Sequence, residues 1–312
     1  MNRFNLNHVY ESQQFDRPLL EYLFNVADTM KADLSIRPRK YAEVLKDKIM
    51  ASLFYEPSTR TRFSFESAMT RLGGRIITTE NAKEFSSAAK GETIYDTIRV
   101  MNGYVDIIIL RHNEPGAAKK AAEVSYVPVI NAGDGAGQHP TQALLDLYTI
   151  KDNLGRIDGL SIAMVGDLKY GRTVRSLSYL LTKFDDIQIY YVAPPVCRMD
   201  DDIKEYLDRN QVKWEEKEYL EKVLADVNCV YMTRVQRERF HDPEDYKQAA
   251  GKYILTTAKI QHMNVDAIIM HPLPRVNEIP SEVDQDPRSR YFEQAQNGLY
   301  IRMALLYQLL AE

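Results

Sequence analysis

The sequence contains little cysteine: Cys197 and Cys229 are its only two among 312 residues, and no C-x-x-C pair occurs. This spacing indicates neither a zinc site nor a disulfide framework, so we expect no bound metal. One bridge between the two cysteines remains open, but two buried free thiols suit a reducing cytosol better.

Several targeting and binding signals are also missing. The stretch from Met1 to Leu6 lacks the apolar core of a signal peptide. No apolar run approaches the roughly 18 residues that a membrane span needs. The net charge of -4 gives no basic surplus for nucleic acid. We therefore expect a cytoplasmic protein that binds neither membranes nor nucleic acids.

Nucleotide-binding fingerprints are absent from the sequence. It has no G-x-x-x-x-G-K-[ST] loop, and the glycines of Gly166–Arg175 do not have the G-x-G-x-x-G spacing. A nucleotide-dependent oxidoreductase is therefore disfavoured, and no cofactor is expected.

The order of apolar runs predicts an α/β fold. At roughly 150 residues per domain, the length suggests two domains. Strand-like runs alternate with helical periodicity, which is typical of βαβ units around parallel sheets. The predicted strands form two sets of four: Ile49–Phe54, Ile76–Thr79, Val105–Leu110 and Val127–Ile130, then Ser161–Val165, Ile187–Val192, Cys229–Met232 and Ala267–Met270. We expect two domains, each with a central parallel sheet flanked by helices.

Two long helices are predicted to join these domains. One is His139–Asn153, and the other is Arg290–Leu310, with an interruption at Gly298. The first domain is predicted to contain residues 1–138 and the C-terminal helix 290–312, and the second to contain residues 139–289. The charged stretch Asp200–Glu221 is interpreted as a solvated face.

The first predicted domain carries polar motifs where its strands end. Ser58-Thr59-Arg60-Thr61 stands where a strand turns into a helix, and hydroxyl and guanidinium donors at a helix N-terminus bind phosphate well. An ordinary N-cap is the alternative. Arg111 follows the third strand, and a glycine-rich loop leads into His139 and Gln142, which share a helix face. The loop Ser86–Lys90 taken alone is more typical of a mobile surface segment.

The second predicted domain has the same arrangement. Gly166–Arg175, Thr233–Arg239 and His271–Arg275 each follow a strand. Arg172, Arg234 and Arg275 would form one basic cleft, and Arg111 with the Ser58–Thr61 segment another. Two basic clefts suit two anionic substrates, one of them a phosphate.

In this order, the motifs resemble those of the aspartate/ornithine carbamoyltransferase family from Phe15 to Leu310. S-T-R-T-R and H-P-T-Q belong to the family at large. Three features are similar to its aspartate branch: T-R-x-Q-x-E-R at Thr233–Arg239, G-D-L-K-Y-G-R-T at Gly166–Thr173, and H-P-L-P-R at His271–Arg275, where ornithine enzymes have H-C-L-P.

The resemblance implies transfer of the carbamoyl group of carbamoyl phosphate to the amine of L-aspartate. The products would be N-carbamoyl-L-aspartate and phosphate, early in pyrimidine biosynthesis. Ornithine or another amino acid as acceptor, and a non-catalytic scaffold, remain as alternatives. The resemblance also implies a homotrimer with shared active sites, and the stretch His112–Glu123 resembles the branch that binds a separate regulatory chain.

The resemblance also implies a role for each site residue. The carbamoyl-phosphate set is Ser58, Thr59, Arg60, Thr61, Ser86, Lys90, Arg111, His139, Gln142, Leu273 and Pro274, with Ser86 and Lys90 supplied to a neighbouring subunit. The aspartate set is Lys90, Arg172, Arg234, Gln236 and Leu273, and Leu273 acts through its backbone carbonyl. The catalytic set is Arg60, Thr61, Lys90, Arg111 and His139.

Overall fold

The computed structural model describes residue 4 and residues 6–85, 87–235, 237, 240 and 242–311. The chain divides into two compact units, Met1–Leu144 with Gln296–Glu312, and Leu145–Ala295. Each unit contains one parallel sheet flanked by helices, which confirms the predicted two-domain α/β class. Within the described ranges, no helix has both the length and the apolar character needed to cross a membrane.

The first unit is built on a parallel sheet with strands β1 (Ile49–Phe54), β2 (Arg75–Glu80), β3 (Ile107–His112) and β4 (Val129–Asp134). Its helices are α1 (Arg17–Asp33), α2 (Thr59–Arg71), α3 (Ala82–Phe85), α4 (Ile94–Met101) and α5 (Ala117–Val124). The strand order is β2-β1-β3-β4. Because helices cover both faces of a parallel sheet, β1, β3 and β4 are almost wholly buried, whereas β2 is an exposed edge.

The second unit contains β5 (Ser161–Val165), β6 (Gln188–Val192), β7 (Lys213–Lys217), β8 (Cys229–Met232) and β9 (Ile268–Met270). Its helices are α7 (Arg172–Leu181), α8 (Asp201–Arg209), α9 (Pro243–Ala249) and α10 (Thr257–Ile260). The strands are all parallel, in the order β7-β6-β5-β8-β9. Cys197 and Cys229 are buried free thiols, as expected, and burial raises the pKa of both.

The strand β7 corrects the interpretation of Asp200–Glu221 as only a solvated face. Its sequence, K-W-E-E-K, has no apolar run, and it pairs with β6 alone at the edge of the sheet. Glu216 on this strand forms an ion pair with Lys204 of α8, with 2.9 Å between Oε1 and Nζ. Charged side chains are common on edge strands. The charged composition of β7 therefore did not indicate a strand.

Two long helices, α6 (Pro140–Leu154) and α11 (Tyr291–Leu310), contain residues of both units. The predicted interruption at Gly298 is wrong, because α11 runs through it. A glycine inside a helix costs about 1 kcal/mol, and burial of neighbours such as Ile301 and Leu305 offsets that cost.

Candidate active site

The loop between β1 and α2 places hydroxyl and guanidinium groups at a helix N-terminus. Ser58 is the N-cap residue with an extended backbone, and in the described structure its side chain makes no capping hydrogen bond. Thr59 and Arg60 are exposed in the first turn, and Thr61 is buried. An ordinary N-cap would use the Ser58 hydroxyl on its own helix, so this geometry favours the anion-binding alternative.

Arg111 belongs to the same end of the sheet, because β3 pairs directly with β1. The side chain is buried, and its guanidinium donates to Oε1 of Glu56 at 2.5 Å and to the carbonyl oxygen of Ala132 at 3.3 Å. The sequence does not single out Glu56, since one glutamate before a proline has no distinctive pattern. Only the pairing of β1 with β3 brings its carboxylate to Arg111.

The glycine-rich loop after β4 is organised around Asp134, whose carboxylate accepts backbone N–H groups at 2.8 Å. Gly135 has φ +52°, and a Cβ there would lie 2.6 Å from the carbonyl oxygen of Asn113. This turn therefore requires glycine. The loop delivers His139, which is 4% exposed and has Nδ1 3.4 Å from the Thr141 hydroxyl.

The remaining predicted residues of the first unit are placed differently. Gln142 is half-buried, and its N–H donates to the carbonyl oxygen of His139 at 3.0 Å. Lys90 is exposed at the end of the 3-10 helix Ser87–Lys90. No described contact joins Lys90 to Arg111 or His139, and Ser86 lies outside the described residues. The other predicted groups of the first unit thus lie at or shortly after the carboxyl ends of β1, β3 and β4, the edge of a parallel sheet where α/β proteins bind ligands.

In the second unit, hydrogen bonds connect the loops after β5 and β8. Gly166 has φ +113°, and a Cβ there would lie 2.5 Å from the carbonyl oxygen of Thr233. The Thr233 hydroxyl accepts from the Asp167 N–H at 3.0 Å and donates to the last carbonyl oxygen of β5 at 2.8 Å. Arg234 lies on the loop after β8, Arg172 is the first residue of α7 after the neighbouring loop, and both are half-buried. Gln236, predicted beside them, lies outside the described residues.

The loop after β9 carries Leu273 and Pro274, but Arg275 is not available to the second basic cleft. Its guanidinium forms a two-pronged ion pair with Asp284 and donates to the Tyr291 hydroxyl at 3.0 Å. The hydrogen bond with Asp284 raises the pKa of Arg275 and lowers that of the carboxyl. The expectation that Arg275 joins Arg172 and Arg234 is corrected, because its charge is already matched inside the unit.

The chemistry available at these two edges is donation of hydrogen bonds and positive charge to anions. Among the described residues, no group of three or more His, Cys, Asp or Glu side chains is arranged to hold a metal ion. Buried donors such as Thr61, Arg111 and His139 are typical of sites that stabilise a developing oxyanion.

Comparisons with known proteins agree with these features. Residues 7–152 match the family model described as aspartate/ornithine carbamoyltransferase, carbamoyl-P binding domain, and residues 158–309 match its Asp/Orn binding domain. Aspartate carbamoyltransferase, chloroplastic, from Arabidopsis thaliana is 57% identical over 311 residues, covering 99% of this chain and 79% of that protein.

Two solved structures extend this similarity to the fold. Aspartate transcarbamoylase from Trypanosoma cruzi, in complex with carbamoyl phosphate and aspartate, has a TM-score of 0.93 at 38% identity, covering 99% of this chain and 98% of that one. The catalytic subunit of Methanocaldococcus jannaschii aspartate transcarbamoylase has a TM-score of 0.89 at 48% identity, covering 97% and 98%. On this evidence, the chain belongs to the aspartate/ornithine carbamoyltransferase family.

Proposed function

We propose that this chain transfers the carbamoyl group of carbamoyl phosphate to the amine of L-aspartate, giving N-carbamoyl-L-aspartate and phosphate. The observation that carries the proposal is 57% identity, over 99% of the chain, to a protein named aspartate carbamoyltransferase. H-P-L-P-R at His271–Arg275 supports aspartate over ornithine as the acceptor. The product then serves an early step of pyrimidine biosynthesis.

Carbamoyl phosphate binds in the first unit. Ser58, Thr59, Arg60 and Thr61 hold the phosphate at the N-terminus of α2, where backbone N–H groups and the helix dipole favour an anion. Arg111, His139 and Gln142 hold the carbamoyl end. The support is their common position at or directly after the carboxyl ends of β1, β3 and β4, which are neighbouring strands of one sheet.

L-Aspartate is bound mainly by residues of the second unit. Arg172 and Arg234 bind its carboxylates. A guanidinium is suited to binding a carboxylate because it donates two parallel hydrogen bonds. Gln236 is assigned the same task on its place in the T-R-x-Q-x-E-R motif. Leu273 directs its carbonyl oxygen to the substrate amine, and Pro274 shapes that loop, which also contacts carbamoyl phosphate.

The reaction needs no side-chain nucleophile. The aspartate amine attacks the carbamoyl carbon, the carbonyl oxygen gains negative charge, and Thr61, Arg111 and His139 stabilise it. The tautomer that this role requires carries the ring proton on Nε2, and its Nδ1 can then accept a hydrogen bond from the Thr141 hydroxyl, 3.4 Å away. The departing phosphate accepts the amine proton. Positioning of both substrates supplies much of the remaining rate enhancement.

The active unit is proposed to be a homotrimer in which Ser86 and Lys90 complete the carbamoyl-phosphate and aspartate sites of a neighbouring subunit. Two observations support association of copies through the first unit. Its edge strand β2 exposes Ile77 (49%), and the adjoining helix α2 exposes Phe63 (55%). Exposed apolar side chains beside an open sheet edge are typical of a surface that another protein covers.

The regulatory partner, the cellular location and the domain bounds are predictions. A separate regulatory chain is predicted as a partner, because the stretch His112–Glu123 resembles the branch of the family that binds one. The location is predicted to be cytoplasmic, although the Arabidopsis relative is named as chloroplastic. The domain bounds 1–138 with 290–312, for carbamoyl phosphate, and 139–289, for aspartate, also stay predictions.

A panel of acceptor amines tests the proposed function. The purified protein is incubated with carbamoyl phosphate and, in separate reactions, L-aspartate, L-ornithine or no acceptor, and the ureido product is measured. We expect product with aspartate alone. Product with ornithine would establish the alternative acceptor, and no product with any amine would leave the non-catalytic scaffold.

A further inference from the structure

The loop after β9 has a backbone that its own sequence does not favour. Leu273 has φ 53°, in the left-handed region that bulky residues rarely adopt. Such conformations persist only where the surrounding structure fixes them.

His271 holds the loop from its start. This residue is 1% exposed, and its Nδ1 accepts a hydrogen bond from the Leu273 N–H at 2.8 Å. Its other ring nitrogen, Nε2, lies 2.8 Å from Oε1 of Glu278. Because Nδ1 accepts, the ring proton must be on Nε2 and is donated to Glu278. The imidazole is therefore a neutral link between the carboxylate and the backbone of Leu273.

Glu278 is suited to fixing this tautomer because both of its carboxylate oxygens accept hydrogen bonds. Oε1 faces His271, and Oε2 accepts from the N–H groups of Val276 and Asn277 at 3.2 and 3.1 Å. Burial raises the pKa of Glu278, but the hydrogen bonds from His271 and the backbone outweigh this, so the pKa is lowered overall. An amide at this position would have to turn its NH₂ group toward one of these donors.

The His271 backbone is anchored from the opposite side. Its N–H donates to Oε1 of Gln294 at 2.8 Å, and Gln294 donates to Oδ1 of Asp146 at 2.6 Å. Oδ2 of Asp146 accepts from the Tyr231 hydroxyl at 2.8 Å, and all three of these side chains are buried. A buried and fully bonded network of this kind fixes one geometry.

We propose that His271 is a positioning residue for the reaction: with its tautomer set by Glu278, it holds the Leu273 N–H so that the Leu273 carbonyl is presented to the acceptor amine. This deepens the proposed function and rests on it. The His271 ring bonds to Glu278 and to the Leu273 N–H, so its effect on the reaction is exerted through the backbone of that loop.

Two substitutions of His271 separate its ring nitrogens. In His271→Asn, the side-chain oxygen can take the place of Nδ1 and still accept from Leu273. In His271→Gln, the amide nitrogen can take the place of Nε2 and still donate to Glu278, but the acceptor for Leu273 is lost. We expect His271→Gln to lose about 100-fold in kcat, as misplacement by about 1 Å can. His271→Asn should stay within about tenfold of the wild type in kcat.

Glu278→Gln provides a second measurement that remains informative if His271→Gln does not fold. In the wild-type background, it should reverse the His271 tautomer and lower kcat strongly. In the His271→Asn background, it should have little effect, because asparagine no longer needs that tautomer. Thermal unfolding of every variant verifies folding.

Equal kcat values for folded His271→Asn and His271→Gln would overturn the proposal. An equal loss from Glu278→Gln in both backgrounds would do the same. If the wild type forms no carbamoyl aspartate, the proposed function fails instead, so the two failures are distinguishable.

Discussion

Replacing Arg234 by alanine should impair the use of aspartate and spare the binding of carbamoyl phosphate. The residue follows β8 on a loop fastened to the Gly166 turn, and it is half-buried. A unit charge pair at 4 Å is worth about 1 kcal/mol in water and about 4 kcal/mol near a protein surface. Loss of a closed arginine–carboxylate contact costs about 2–5 kcal/mol. For a half-buried arginine we take about 2–3 kcal/mol, which corresponds to about 30- to 150-fold in kcat/KM for aspartate.

The assay varies aspartate at saturating carbamoyl phosphate, and then carbamoyl phosphate at saturating aspartate. Arg237→Ala is a matched control, because Arg237 lies three positions after Arg234 and is exposed. Its guanidinium carbon is 5.9 Å from the centroid of the Tyr246 ring. The control should change kcat/KM by less than about threefold, as surface substitutions usually do. An equal loss for both substrates in Arg234→Ala would refute the assignment.

Three further predictions concern His139, the shared site and Asp284. His139→Ala should lower kcat by about 10²–10³ and leave residual activity with the wild-type pH dependence, whereas loss of the whole pH profile would indicate a general base. Inactive Lys90→Ala and His139→Ala proteins, dissociated, mixed and reassembled, should regain about one native site per mixed trimer. Mixed trimers that native mass spectrometry detects but that stay inactive would place Lys90 in its own subunit's site. Asp284→Asn should lower stability at neutral pH by about 1 kcal/mol, because the hydrogen bond from Arg275 lowers the Asp284 pKa below 3.8. That contribution is present above the unfolded pKa and is lost as pH falls through the lower folded value, so the denaturant midpoints of the two proteins should converge once the pH is below the folded pKa. A difference that persists there would contradict the linkage.

The sequence predicted most of the architecture, because buried parallel strands are continuous apolar runs. Ile49–Phe54 and Ser161–Val165 were predicted with the observed bounds. The charged edge strand β7 was missed, since its stability comes from pairing with β6 and from ion pairs, which no local pattern records. Gly298 was misjudged because burial of a long helix outweighs one poor helix former.

The candidate site was predictable only where a residue stands in a distinctive loop. Ser58, His139 and Arg172 follow strands in motifs of unusual composition. Glu56 and Asp146 carry no such signal, because their partners, Arg111 and Tyr231, are distant in sequence and are brought near only by the fold. Arg275 shows the opposite error, since a basic residue in a motif proved to balance Asp284.

The most direct test of the central claim follows the new bond itself. Carbamoyl phosphate labelled at the carbonyl carbon and L-aspartate labelled at the amine nitrogen are incubated with the protein and observed by NMR. Transfer predicts a product in which the two labels are joined by a one-bond coupling, together with an equal amount of phosphate. Release of phosphate while the labelled carbon and nitrogen never appear in one molecule would contradict the account.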